Sequence, residues 1–251
     1  MNKFETLSVL TNLYWDMQKT RIAAKHRART MDDPDLHILI GEVEKLEDGI
    51  EKALKDAVKE HPFYVYWLKN VHGIGPVLSA QLIHLIRGKT HTPECKEKRD
   101  KYFSKKKAGE KRASRFVCDC PTKEIERFPT VSSLWKYAGM HVVDGKAPKR
   151  KRGERINWNP KLRSLCFKIS ESFVIQKKSP YRKWYDEFKR VELEKHPDLR
   201  KRHVEMRVRR KVAKLFLAHV FNKWYEMKKL KAPEPYAFRM LGHEGYIPPP
   251  E

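Results

Sequence analysis

No run of 18 apolar residues occurs in this sequence, so no membrane-spanning helix is expected. Glycine is scarce, 11 of 251 residues, which excludes a collagen-like chain. Cysteine numbers only 4, too few for a small secreted scaffold held by disulfides. The N-terminal segment MNKFETLSVLTNLYWD carries an acid at Glu5 and lacks a small-residue cleavage pattern, so it does not read as a signal peptide. Acidic residues are also in short supply. Asp plus Glu is 32 against 55 Lys plus Arg, a net charge of +23. With 40% hydrophobic residues the chain is still too apolar to be disordered throughout, and its length suits one or two domains.

A charge this large implies a polyanionic partner, and nucleic acid is the default. The bland reading is a highly charged soluble surface. Position separates the two. Residues 1–60 carry 10 basic and 12 acidic residues. Residues 87–127 carry 14 and 7, residues 146–163 carry 8 and 1, and residues 200–214 carry 8 and 1. Each of these three stretches is +7, and together they hold +21 of the +23. A solubility device would spread its charge, so three contact patches on a neutral scaffold are expected. No membrane partner is expected, and the location fitting this balance is cytoplasmic, at the nucleoid.

The periodicity predicts an all-α fold. In residues 34–60, Leu36, Leu39, Val43, Leu46, Ile50, Ala53 and Ala57 follow a heptad spacing. A helix over about 3–29 places Leu7, Leu10, Tyr14 and Met17 at similar spacing. Residues 1–60 therefore read as a helical hairpin, either packed on itself or dimerising as a coiled coil. Residues 61–251 read as a second unit. In it, VHGIGPVLSAQLIHLI combines a tight turn at Gly73, Ile74 and Gly75 with a helix opening at Pro76. This is a helix-hairpin-helix pattern. Its helix-start N–H groups suit one DNA phosphate without reading sequence. Val77, Leu78, Leu82, Ile83 and Ile86 are the expected buried side of that helix.

Helices are further expected in FPTVSSLWKYAGM, ended by Gly139, and over about 160–176, 179–196 and 200–229. In the last, Val204, Val208, Val212, Leu215 and Phe216 share one face, and Arg207, Arg210, Lys211 and Lys214 the adjacent face. Between helices, the loop at 141–160 concentrates Lys146, Lys149, Arg150, Lys151, Arg152 and Arg155, with Trp158 near enough to stack on a base or sugar. A core position is the alternative for Trp158. LGHEGYIPPPE reads as an arm over the surface. His26, His37, His84 and His219 fall within helices and read as structural.

The polar stretch 89–127 looks inserted between two apolar blocks. It holds His91, Cys95, Cys118 and Cys120, whereas Cys166 stands apart. Three thiols and an imidazole make a full tetrahedral set for structural Zn²⁺, which would give a polar insertion its missing core. A disulfide or free thiols are the alternatives.

The order VHGIGPVLSAQLI, FPTVSSLWKYAGM, DGKAPKRKRGERINWNPKLRSL resembles the C-terminal domain of the insertion-sequence transposases classed as transposase family 20. The matching residues are Gly73, Ile74 and Gly75, then Phe128, Ala138, Gly139, Met140, Gly145, Gly153, Asn159, Leu162 and Arg163. The similarity covers about residues 65–176. The family implies serine-type DNA recombination guided by a bridging RNA. Two departures bear on activity. The 60 residues before the matching region are too few for the family's acidic nuclease-like domain. The family's nucleophilic serine belongs in the loop after Ala-Gly-Leu, yet residues 141–153 contain no serine. Ser132, Ser133, Ser164, Ser170 and Ser172 fall on expected helices and read as ordinary hydroxyls. The expectation is a transposase-related DNA-binding protein that does not itself cleave DNA. The rivals are a strand-transfer enzyme completed by a partner nuclease domain, and a structured-RNA-binding protein.

Overall fold

The computed structural model describes residues 3–29, 31, 33–107, 116–143, 145–150, 152, 156–233 and 247–250. Within them the fold is all-α, with nine α-helices and one short two-stranded ribbon. The helices are α1 (Lys3–Ala28), α2 (Pro34–Lys59), α3 (Pro62–Tyr66), α4 (Pro76–Ile86), α5 (Pro93–Lys107), α6 (Val131–Tyr137), α7 (Pro160–Ile175), α8 (Pro180–Lys195) and α9 (Lys201–Met227). The ribbon pairs β1 (Gly88–Lys89) with β2 (Thr122–Lys123). No described helix is long and apolar enough to cross a membrane.

Local sequence explains most helix starts. Proline opens α2, α4, α7 and α8, where its missing N–H costs no helical hydrogen bond. Before it stand Asp33, Asn159 and Ser179, whose side chains accept from first-turn amides of α2, α7 and α8. Helix α6 starts with a capping box between Thr130 and Ser133. It ends at Gly139, whose φ of +67° is the left-handed conformation expected of a helix stop.

Helices α1 and α2 form the expected hairpin, which lies on α4. The buried seam of α2 differs from the heptad reading. Ile40, Ile50, Leu54 and Val58 are buried, together with Glu47. Leu39 and Leu46 are 62% and 55% exposed, and Ala53 also faces solvent. The seam keeps a seven-residue repeat but runs through 40, 47 and 54 in place of 39, 46 and 53, because that is the face α2 turns towards α1 and α4. Inside it, Arg21 donates two hydrogen bonds to Glu47, at 2.6 and 3.2 Å. The partner makes a buried acid tolerable in an apolar seam.

The core centres on α4 and α9. Helix α4 does not present a single apolar side. Ser79 to Ile83, Leu85 and Ile86 are all buried, while Val77 and Leu78 at its start are only partly covered. Helix α9 packs against α3, α6, α7 and α8. Trp224 stacks on Phe63 at 4.2 Å and Phe173 stacks on Tyr181 at 4.4 Å. The end of the chain returns to this core. Trp67 Nε1 donates to the Pro250 carbonyl at 2.9 Å, and His219 Nε2 donates to that of Ile247 at 2.9 Å. Residues 241–246 and 251 of the expected surface arm lie outside the described residues.

Candidate functional site

The ribbon closes the neck of the insertion. It sets Gly88 opposite Lys123 and Lys89 opposite Thr122, and Thr90 N donates to the Pro121 carbonyl at 2.9 Å. His91 is thereby carried to the segment before β2 that bears Cys118 and Cys120. Cys95 comes from the first turn of α5, where its amide donates to Thr92 Oγ1 at 3.3 Å. The four ligand atoms lie within 4.8 Å of one another. His91 Nδ1 is 3.3 Å from Cys95 Sγ and 3.4 Å from Cys118 Sγ. A tetrahedral metal with ordinary bond lengths separates such N and S atoms by about 3.6 Å. Burial and the cations Arg99, Lys89, Lys96 and Arg127 lower the His91 pKa, which favours the neutral imidazole that ligates metals. None of the four cysteines forms a disulfide. These four residues can hold a metal ion.

The Gly-Ile-Gly turn forms between a one-turn 3₁₀ segment, Leu68–Asn70, and α4. Gly73 has φ +101°, and a Cβ there would lie 2.5 Å from a Phe173 ring carbon. Its glycine is required by backbone conformation and by core packing, not by close approach of a ligand. Ile74 is buried. Gly75 is exposed at the N-terminus of α4 with open space around it.

The expected basic face of α9 is divided among partners. Arg207 and Lys211 both bind Glu192, whose side chain is only 3% exposed. Their charge offsets a buried acid. Arg209, absent from the sequence reading, bridges Glu171 and Glu205. Arg210 and Lys214 differ. Arg210 donates to the His141 carbonyl at 2.6 Å, and Lys214 sits over the Trp135 ring at 4.2 Å. Neither has a carboxylate partner among the described residues.

Arg163, on α7, completes this group. It donates to the Pro148 carbonyl at 2.6 Å and lies 4.9 Å from the Trp158 ring centre. Arg163 and Arg210 line one cleft with Phe167, Met206, Met140 and Ala147. Burial lowers the pKa of both guanidiniums and of the Lys214 ammonium, and Arg210 and Lys214 are each lowered further by a neighbouring cation. These three partly buried cations have no carboxylate partner among the described residues, whereas Arg207 and Arg209, which line the same cleft, are paired with Glu192, Glu171 and Glu205. Such a site favours an anion, because like charges taken out of water repel unless a counter-charge joins them.

The basic loop borders the cleft through Ala147. Lys146, Lys149, Arg150 and Arg152 are exposed, while Lys151 and Arg155 lie outside the described residues. Two of the three expected patches therefore converge, and the Gly-Ile-Gly turn is a separate feature. Arg163 was legible as one of the eight cations of the 146–163 patch and in the family-like pattern. Nothing in its local sequence says that no acid neutralises it. Ser133 and Ser170 serve backbone carbonyls at Thr130 and Phe167. Compared with known proteins, the sequence matches no family model and no curated protein.

Proposed function

We propose that this protein binds nucleic acid through its phosphates, DNA in the first place, and does so without cutting it. The observation that carries the reading is the set of Arg163, Arg210 and Lys214, partly buried and without a carboxylate partner among the described residues. A phosphodiester supplies the missing negative charge and accepts from guanidinium donors in pairs. Exposed Lys149, Arg150 and Arg152 extend the contact along a backbone, and the Gly75 end of α4 adds a neutral donor set. The transposase-like order of motifs supports the same polymer. The lack of a serine in residues 141–153 supports binding in place of strand transfer.

A salt titration on linear duplex, a four-way DNA junction and structured RNA tests this. Binding is expected to weaken linearly in log affinity against log salt, with a slope of about −0.9 per phosphate contacted on duplex. Tighter binding to the RNA would reassign the patches to RNA. Weak binding to all three would overturn the reading.

A separate observation supports a metal. We propose that His91, Cys95, Cys118 and Cys120 hold structural Zn²⁺, because an all-N/S tetrahedral set with no acid among the four matches that ion. Metal analysis of the native protein is expected to return about one equivalent of zinc per chain. Less than about a tenth of an equivalent would sink the assignment.

A further inference from the structure

A second groove lies beside the cationic cleft, lined by Arg99, Tyr137, Ile156, Asn157, Trp158 and Asn159 with Pro160. Its parts come from three places in the chain. Trp158 packs on Gly139, where an added Cβ would lie 3.0 Å from the indole, and on Arg163. Both hold the ring in place. Asn159 ties the two aromatic residues together, since its amide N donates to the Tyr137 carbonyl at 2.7 Å and its Nδ2 to the Tyr137 hydroxyl at 2.9 Å. Asn157 is exposed at the rim with its amide free to donate and accept.

Arg99 comes from the insertion. It lies one helical turn beyond Cys95 on α5, so the cysteine of the metal cluster fixes where Arg99 points. One Nη of Arg99 lies 3.5 Å from the Asp100 carboxylate, and its Nε is buried with no hydrogen-bond partner among the described residues. The guanidinium as a whole is about one-third exposed and brings a positive charge and N–H donors to the rim of an aromatic groove.

We infer that this groove takes an unpaired nucleobase, stacked on Trp158 and read at its edge by Asn157 and Arg99. The inference rests on the nucleic-acid reading above. A flat aromatic face, an amide carrying both donor and acceptor, and a guanidinium match the face and edge of a base. A base inside a duplex hides its face in the stack, so only a bulged, flipped or single-stranded one can enter. The protein would then prefer interrupted nucleic acid to a perfect duplex, and the insertion would place one of its readers.

The test compares two duplexes of equal length, one fully paired and one with a single bulged 2-aminopurine, and repeats the bulge in RNA. The bulged DNA is expected to bind about five- to a hundred-fold more tightly, the range for stacking one base. The 2-aminopurine fluorescence should be quenched on binding. In Trp158→Ala the quench is lost, and in Asn157→Ala and Arg99→Ala the bulged-to-paired affinity ratio falls towards one. Asn157 is exposed, so its variant tests the groove without disturbing the packing at Gly139. Equal affinity for both duplexes, without quenching, overturns the groove and leaves phosphate binding standing. A preference unchanged in all three variants also overturns it. Failure to bind either duplex or the bulged RNA overturns the phosphate reading, and the groove falls with it. A quench on the RNA bulge that exceeds that on DNA supports the groove and assigns it to RNA.

Discussion

Arg210 and Arg163 tie down two points, His141 and Pro148, of the loop that follows α6. Arg210 donates to the carbonyl of His141 and Arg163 to that of Pro148, each at 2.6 Å, and the two guanidiniums line the same cleft. The loop's position is therefore set by two cations that repel each other. Arg210→Gln should reduce the salt slope of duplex binding by about 0.9, one phosphate's worth. In the free protein the relieved repulsion should offset the lost hydrogen bond, so the melting temperature should move by less than about 4 °C. A large loss of stability with an unchanged slope would make Arg210 a structural residue only.

The metal reading makes a prediction about thiols. Chelation should expose Cys95, Cys118 and Cys120 to a thiol reagent while the helical far-UV signal changes little, because the core lies elsewhere. Cys166 is buried in α7 and its thiol is pushed up to about 12 by burial. It should react only after global unfolding. Counting fast and slow thiols before and after chelation checks this. Four fast thiols in native, metal-bound protein would contradict it.

Two leucines of α2 separate the heptad reading from the observed packing. Leu54 is fully buried, and Leu46 is 55% exposed. Leu54→Ala should cost about 2–5 kcal/mol, and Leu46→Ala about 0.5 kcal/mol or less. Denaturant titrations of both variants decide it. Equal losses would restore the seam through Leu39 and Leu46.

The two glycines of the turn should behave differently. Gly73→Ala meets both a left-handed backbone and the Phe173 ring, and should cost about 2–4 kcal/mol. Gly75→Ala has an ordinary φ of −77° and open space, and should be nearly neutral for folding. If Gly75→Ala alone weakened nucleic-acid binding, the helix start would be a contact point. Thermal melts and the salt titration together report both effects.

Acid should destabilise the protein in two steps. Burial lowers His219 to about 4, and burial with Lys161 and Arg87 lowers His84 to about 4. Between these values and the ordinary 6.5, the unfolded chain binds protons that the folded chain does not. The stability is full above about pH 6.5 and falls as pH drops towards 4, by about 1–3 kcal/mol for His219. Glu124 is held at about 2 by His61 and Lys228, against the desolvation of its site. Its contribution is lost as pH falls from 4.5 towards 2. Denaturation at pH 7.5 and pH 5 checks the first step. His219→Gln should flatten it, and an unchanged slope would exclude His219 as its source.

Local sequence signals set most of the helix boundaries, although α3 and α5 are not among the helices expected from the sequence. Proline and the cap residues Asp33, Asn159 and Ser179 act on the adjacent amides, and Gly139 stops α6 through its own φ, so these signals need no tertiary context. The sequence also pointed to the candidate metal site, because His91 with Cys95, and Cys118 with Cys120, are close in sequence, and the β1–β2 pairing then brings the two pairs together. Tertiary structure decided which cations have acid partners. Glu192 lies 15 residues from Arg207 and takes its charge, whereas no described acid reaches Arg210 three residues further on. Charge counting along the chain treats these two arginines alike. The distinction arises because α8 carries Glu192 to one face of α9, while α6 brings His141, just beyond its end, to another. The same holds for Trp158 and Arg99, about 60 residues apart in sequence and lining one groove only through the folded insertion.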